Sequence, residues 1–350
     1  MNLGYLVDAA IHWKQLLPRV HPFFAFKANS DPILTYLMME LNFGFDCASL
    51  DEIQKVIKLG VHPSKVIYAN THKQTSHLRQ ATSLGINLGT FDDESELFKI
   101  KKVAPHMRLL LRLSTTGFGK CLSKTMQAKF GCVKSETRGL LETAKQLGLN
   151  VKGVCFHIGL GAQSPELYRK AISEARKVFS EGLELGFKMS ILDIGGGFPC
   201  KTATNFSKIE FKAVAKTICE SLNTEFPSDD KVQIIGEPGT FFTAPLMSLA
   251  VNIIGKRKRR GRDVYQQHNF PDTEYFINDG IYSSFRLYWD APLLIPVVKP
   301  VDQKYFGLPV HKSTLWGQTC AEDVAVEDCE LPDMDVGDWM CVKGEHRTWT

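Results

Sequence analysis

Short apolar runs that end in a polar residue recur along the first two thirds of the chain, each followed by a stretch with helical spacing. The runs are PFFAF ending at Lys27, GFDCA with Asp46, VIYAN with Asn70, INLGTFD with Asp92, MRLLLRL with Arg112, GVCFHI with His157, ILDIGGG with Gly195, Gly196 and Gly197, and VQIIGEPG with Glu237. A continuous apolar run reads as a strand buried on both faces, as parallel strands under helices are. Between them lie helical patterns at 32–41, 49–59, 137–147 and 165–185. This alternation predicts a (β/α)8 TIM-type barrel over residues 1–246. Barrel active sites form at the carboxyl ends of the strands, where these polar residues fall.

Ahead of the first strand, residues 1–20 read as one amphipathic helix, with Leu3, Leu6, Val7, Ala10, Trp13 and Leu17 at helical spacing, and no domain is expected before it. From Met247 the texture changes to strand-like runs without intervening helices: LMSLAVNIIG, EYFIND, LLIPVV, STLWG and DWMCVK. A second, mostly β C-terminal domain is therefore expected over 247–350. Between its first two runs, GKRKRRGRD at 255–263 has six basic residues in nine and reads as a solvated hairpin loop.

Composition narrows the class. With 350 residues, 44% hydrophobic and 23% charged, the chain has the content of a globular enzyme, and a net charge of +4 demands no polyanionic partner, neither nucleic acid nor membrane. Nine cysteines without CxxC pairs suggest reduced thiols and a cytoplasmic setting. No run has the length of a membrane span, and no cluster has metal-ligand spacing.

The chemistry follows from what one barrel mouth would gather. Lys27 is a cation delivered by a buried strand, three consecutive glycines after a strand allow backbone amides to approach an anion closely, and Glu237 is an acid at a neighbouring strand end. A Schiff-base lysine, a phosphate cradle and an acid set against a ring nitrogen are the requirements of pyridoxal 5'-phosphate.

The segments PFFAFKAN, GFDCAS, KVIYANTHKQ, CFHIGLG, LDIGGGFP, IIGEPG, NDGIYSSF, LWGQTC and LPDMDVGDWM, in this order and spacing, resemble the ornithine decarboxylase family, antizyme inhibitors included. The resemblance spans nearly the whole chain. It implies a barrel plus a β domain in an alanine-racemase-like arrangement, assembled as a homodimer with shared active sites, and it implies that this chain is short at both ends. It also implies that Lys27 is the Schiff-base lysine, that Glu237 pairs with the pyridine nitrogen and that His157 stacks on the ring. Asp46, Arg112, the three glycines and Gly239 become cofactor-binding residues. Lys129 would pair with Asp46 or reach the neighbouring subunit, Cys320 would protonate the decarboxylated carbon across the interface, and Asp290 and Trp289 would meet the substrate.

Departures from the family pattern fall at Leu160, where the family has serine, at Thr240, where it has arginine, at Ala321, where it has aspartate, and in the run KGEHRTWT, where it has a phosphate-contacting tyrosine. Loss of a buried arginine–phosphate pair costs about 2–5 kcal/mol. Two functions follow: decarboxylation of L-ornithine to putrescine in polyamine biosynthesis, or a catalytically inactive, antizyme-binding regulator. Residues 71–99 resemble the antizyme-binding region, with Lys73, Arg79 and Lys99 as its cations.

Overall fold

Eight parallel strands close on themselves in the computed structural model, which describes residues 1–119, 129–200, 209–258, 273–285 and 297–343. They are β1 (Val20–Ala25), β2 (Gly44–Cys47), β3 (Val66–Tyr68), β4 (Leu88–Phe91), β5 (Arg108–Leu113), β6 (Asn150–Phe156), β7 (Ile191–Asp193) and β8 (Gln233–Gly236). Each pairs with the next, and β8 returns to β1. Helices α2 (Pro32–Glu40), α3 (Leu50–Lys58), α4 (Thr75–Ser83), α5 (Glu94–Val103), α6 (Thr137–Gln146), α7 (Glu166–Glu184) and α8 (Phe211–Glu225) fall between strands. Three of them start on a side-chain cap: Asp31 accepts the N–H of Ile33, Ser49 that of Glu52 and Asp93 that of Ser95.

The inside of the barrel is an apolar plug made of Phe23, Ile67, Leu88, Leu110, Cys155, Ile191 and Ile235. Side chains alternate along a strand, so a residue two places after a plug residue shares its face, one layer nearer the carboxyl end. Arg112 follows Leu110, His157 follows Cys155, Asp193 follows Ile191 and Glu237 follows Ile235 in this way. The polar residues thus stand on an apolar floor.

The first helix, α1, runs over Leu3–Leu16, shorter than the expected 1–20, and buries Leu6, Ala9 and Trp13. Pro18 disfavours helical geometry at Leu17 and releases the chain into β1. Trp13 packs against Phe198, Phe211, Phe241 and Phe242, and its Nε1–H donates to Val20 O at 2.9 Å.

Residues after the barrel build a second compact unit around a six-stranded mixed sheet, in the order β11-β14-β9-β10-β12-β13. Its strands are β9 (Ser248–Lys258), β10 (Thr273–Ile277), β11 (Val297–Pro300), β12 (Val310–Trp316), β13 (Val324–Pro332) and β14 (Trp339–Lys343). The pair β10–β12 is parallel; the other pairs are antiparallel. Two features differ from expectation. The basic run begins inside β9 rather than in a loop, and its first cations are ion-paired: Lys256 and Lys258 meet Asp333 at 2.6 and 2.5 Å. Strand β13 was not expected, because its centre, EDCE, breaks the apolar alternation; register irregularities and a positive φ of 51° at Asp328 accommodate it. Asp323, 1% exposed, ties two turns of this unit by accepting Ile281 N–H at 2.7 Å and the Thr319 hydroxyl at 2.9 Å. Among the described residues, no helix is long and apolar enough to cross a membrane.

One buried ion pair links β3, β4 and α5. Lys73 Nζ meets Glu96 Oε1 at 2.9 Å and donates to the carbonyls of Asn70 and Thr90 at 2.9 and 2.7 Å, while Glu96 also holds Lys99. Both side chains of the Lys73–Glu96 pair are inaccessible. Removing one partner strands the other charge in the core. Lys73→Ala is expected to destabilise the barrel by about 3–5 kcal/mol in chemical denaturation, and the double change Lys73→Met, Glu96→Leu to recover most of that loss.

Candidate active site

Five strand ends and the turn after a sixth converge on the mouth of the barrel. After β1 the chain makes one turn of 3-10 helix, Phe26–Ala28, that places Lys27 over the mouth. Its ammonium lies 2.6 Å from Asp46 Oδ2, on β2, and half of the Lys27 side-chain surface stays accessible while Asp46 is buried. Burial alone would lower the Lys27 pKa; the charge of Asp46, with Glu237 and Glu52 behind it, outweighs that and holds it above the ordinary lysine value. Of the two expectations for Lys129, a pair with Asp46 or a reach toward a neighbouring subunit, the first is not seen within this chain: Lys27 holds Asp46, and Lys129 is exposed with its ammonium 4.8 Å from the centre of the Phe130 ring.

Arg112 rises from β5 and packs its guanidinium 5.2 Å from the same Phe130 ring. From the end of β6 comes His157, whose Nδ1 accepts the N–H of Gly159 at 2.9 Å. That bond leaves the ring proton on Nε2. Burial, then the neighbouring charges of Arg112 and Lys27, push the imidazole well below its ordinary midpoint, so the ring is neutral.

Glu237 follows β8 and is 5% exposed. Its backbone N–H donates to Gly195 O at 2.7 Å, joining the strand end to the glycine turn. Burial first, then the carboxylates of Asp193 and Asp46, raise the Glu237 carboxyl well above the usual range. The glycines lie against backbone from two sides. A Cβ at Gly195, where φ is +63°, would stand 2.0 Å from Phe156 O, and one at Gly197 would stand 2.2 Å from Gly159 O. At Gly196 a Cβ would fill the space between Glu237 O and His157 Nε2, at 2.6 and 2.8 Å. Gly239 packs instead toward β1, where a Cβ would meet those of Ala28 and Ala25 at 2.9 and 3.2 Å.

These residues fit a pyridoxal phosphate. The mouth holds an accessible amine, a neutral flat ring, a deep carboxyl and a turn kept free of side chains, and Asp46 Oδ1 is buried without a hydrogen-bond partner. Cys320 belongs to the β unit, exposed beside Thr319 and next to the exposed Ala321. Trp289 and Asp290 lie outside the described residues. Leu160 is half-buried in the loop after β6, and Thr240 opens the short helix α9 (Thr240–Thr243).

Two residues escaped the sequence reading. Asp193, inaccessible to solvent, reads in the sequence as part of the glycine turn beside it, although it stands two places after a plug residue like the others. Glu52 accepts the N–H of Ala48 at 2.5 Å and adds negative charge near Lys27. Its spacing after Ser49 reads as an ordinary helix cap, which hid it.

The family model for the pyridoxal-dependent decarboxylase, pyridoxal binding domain, matches residues 3–244. Ornithine decarboxylase of Rattus norvegicus is 42% identical over 349 residues, covering 97% of this chain and 73% of that protein. Antizyme inhibitor 2 of Xenopus laevis is 40% identical, covering 97% and 74%. Among solved structures, the Paramecium bursaria Chlorella virus arginine decarboxylase bound to agmatine superposes with a TM-score of 0.86 at 34% identity, covering 98% of this chain and 88% of that one. The lysine/ornithine decarboxylase of Vibrio vulnificus complexed with putrescine gives 0.83 at 27%, covering 99% and 86%.

The His157 ring is expected to remain neutral below its ordinary midpoint of 6.5 in the folded chain. The unfolded chain takes up that proton and the folded one does not, so this residue reduces stability as pH falls below 6.5 and has no effect above it. A nitrogen-resolved imidazole titration checks this. A ring already protonated at pH about 6 would contradict the neutral tautomer.

Proposed function

The chain belongs to the pyridoxal-dependent decarboxylases, and from that premise we propose that it releases carbon dioxide from a basic amino acid, L-ornithine giving putrescine. The observation that carries this reading is the Lys27 amine, accessible and held 2.6 Å from Asp46, in a mouth that also contains the buried carboxyl of Glu237. When bound, pyridoxal phosphate supplies the electron sink for the pair left behind by the lost carboxylate.

The chain's own groups do the rest. Lys27 must shed a proton to act as a nucleophile, and the contact with Asp46, which holds the ammonium charged in the resting mouth, has to be given up for that step. His157, neutral because Gly159 holds its Nδ1, offers a ring face without repelling a positively charged nitrogen. Glu237 is shielded from water, so a cation placed opposite it meets an undiluted charge. The turn at glycines 195–197 leaves room for a phosphate without a side chain in the way, with the N–H groups of Gly196 and Gly197 proposed as its donors because that of Gly195 is held by Asp193, and Arg112 adds a cation at the same mouth. A homodimer would bring Cys320 and Lys129 of one subunit toward the site of the other, and a cytoplasmic setting agrees with the free thiols. Asp290 and Trp289 are proposed for the distal end of the substrate.

A second reading, a non-catalytic protein that binds antizyme, draws support from the 40% identity with antizyme inhibitor 2 and from Thr240 and Ala321. Of the cations expected on residues 71–99, Lys73 is buried in its ion pair and Lys99 is tied to Glu96, so Arg79 is the exposed one among the three.

Added pyridoxal phosphate is expected to give the visible absorption band of a lysine-bound cofactor, with carbon dioxide released from ornithine, and Lys27→Ala to abolish both. Glu237→Gln is expected to keep the band and lower kcat by on the order of 10²-fold or more. Running ornithine, lysine, arginine and leucine in parallel identifies the substrate despite Ala321. A folded chain that forms no band, yet retains antizyme in a pull-down, would replace the enzyme reading with the second one.

A further inference from the structure

Two carboxyls meet at adjacent strand ends, and the function proposed above uses only one of them. Asp193 ends β7, in register with Ile235 of β8, and Glu237 follows β8. The Gly195 turn is tied to both: its N–H donates to Asp193 Oδ1 at 2.8 Å, and its carbonyl accepts the Glu237 N–H at 2.7 Å. Because Gly195 lies at φ +63° with Phe156 O occupying the place where a Cβ would stand, this turn is closely packed between the strand ends. Asp193 is 0% exposed and Glu237 5%. Asp193 Oδ2 has no hydrogen-bond donor among the described residues, and the side chain that Asp193 meets is that of Glu237.

Two carboxylates in contact, shut away from water, cannot both remain charged at modest cost. The other groups facing them do not change that. Lys27 from the turn after β1 and Arg112 from β5 are cations, Asp46 from β2 is a third carboxylate, and the Cys155 thiol and His157 ring of β6 are neutral. Two cations against three carboxylates leave one negative charge in excess, and one retained proton removes it.

Resting on the proposed function, we infer that Asp193 is the positioning residue for Glu237: the two buried carboxyls share a proton, and Asp193 keeps that proton on Glu237 until a basic ring nitrogen is set opposite. A bound ring nitrogen would take that proton, leaving Glu237 as the anion opposite it, and Asp193 would act only through Glu237. It fixes where Glu237 stands, through the Gly195 turn, and when Glu237 is charged, through the shared proton. Burial is the largest influence on both and raises both: Asp193 to about 7, although the hydrogen bonds from Gly195 and from the Glu237 side chain work against it, and Glu237 well above its ordinary value, with the charge of Asp193 adding to burial.

The test needs a readout on the chain alone. In difference infrared spectra, the C=O stretch of a protonated carboxyl is expected to persist at neutral pH in the wild-type chain. In Asp193→Asn the amide can still accept from Gly195 and can donate to Glu237, so the band is expected to titrate away at least about one pH unit lower. Glu237→Gln, which approaches the pair from the other side, is expected to do the same for Asp193. A wild-type chain without the band at neutral pH, or a band unmoved in both variants, would overturn the inference; circular dichroism melts confirm that each variant is folded, and one folded variant is enough to decide.

A second arm titrates pyridoxal phosphate across pH, where Asp193→Asn is expected to move the pH of tightest binding downward and an unchanged profile counts against the inference. Absence of binding by the wild-type chain at any pH would sink the proposed function, whereas the infrared arm would still decide whether Asp193 and Glu237 share a proton.

Discussion

Closure of eight parallel strands is the constraint on which the rest of the larger unit depends. Once β8 pairs with β1, every strand has an inner face, and the alternation of side chains sorts residues into layers. The lower layer is apolar and fills the interior. The layer above it has no partner strand to pack on, and there the chain places Arg112, His157, Asp193 and Glu237. Polarity at that level is tolerated because these groups neutralise one another or are held by backbone donors such as the N–H of Gly159 and of Gly195.

Electrostatics inside this mouth are collective. Lys27 is held charged by Asp46 against the effect of burial, whereas His157 is held neutral by burial and by the two cations beside it. Asp193 and Glu237 are driven toward their protonated forms chiefly by burial, with the charge of Asp193 adding to the effect on Glu237. Each state is set by its neighbours, so a substitution at one position alters the charge at several. The same low-dielectric setting gives a bound cofactor firm electrostatic partners without any reorganisation of water.

The second unit answers a different physical problem. Its sheet has ends, and acidic residues beside its strands tie parts of it together: Asp333 takes two lysines of β9, and Asp323 binds two turns at once. The turn that carries Thr319, Cys320 and Ala321 is therefore anchored beside an exposed thiol, a firmer mount than a free loop would provide. The chain spans 97% of its own length in the match to the rat ornithine decarboxylase and 73% of that protein.

The linear order of residues was enough to determine the strand–helix alternation, the barrel, and the acids and bases at its mouth, because each of these is written in local hydrophobic period and in strand-end chemistry. Lys27, Asp46, Arg112, His157, Glu237 and the three glycines were all legible that way. Pairing was not. Whether Asp46 meets Lys27 or Lys129, and whether Lys73 faces solvent or a buried glutamate, depends on which strands lie side by side and how far a long side chain reaches. Asp193 and Glu52 went unread for a related reason: one looks like part of a glycine turn and the other like a helix cap until the fold sets them beside Glu237 and Lys27 respectively. Strand β13 was hidden by its polar centre, since its pairing with β12 rests on backbone hydrogen bonds that carry no hydrophobic signature. Local period is a property of neighbours in sequence, while charge pairing and burial are properties of neighbours in space, and only the closed barrel and the folded sheet bring the second kind into existence.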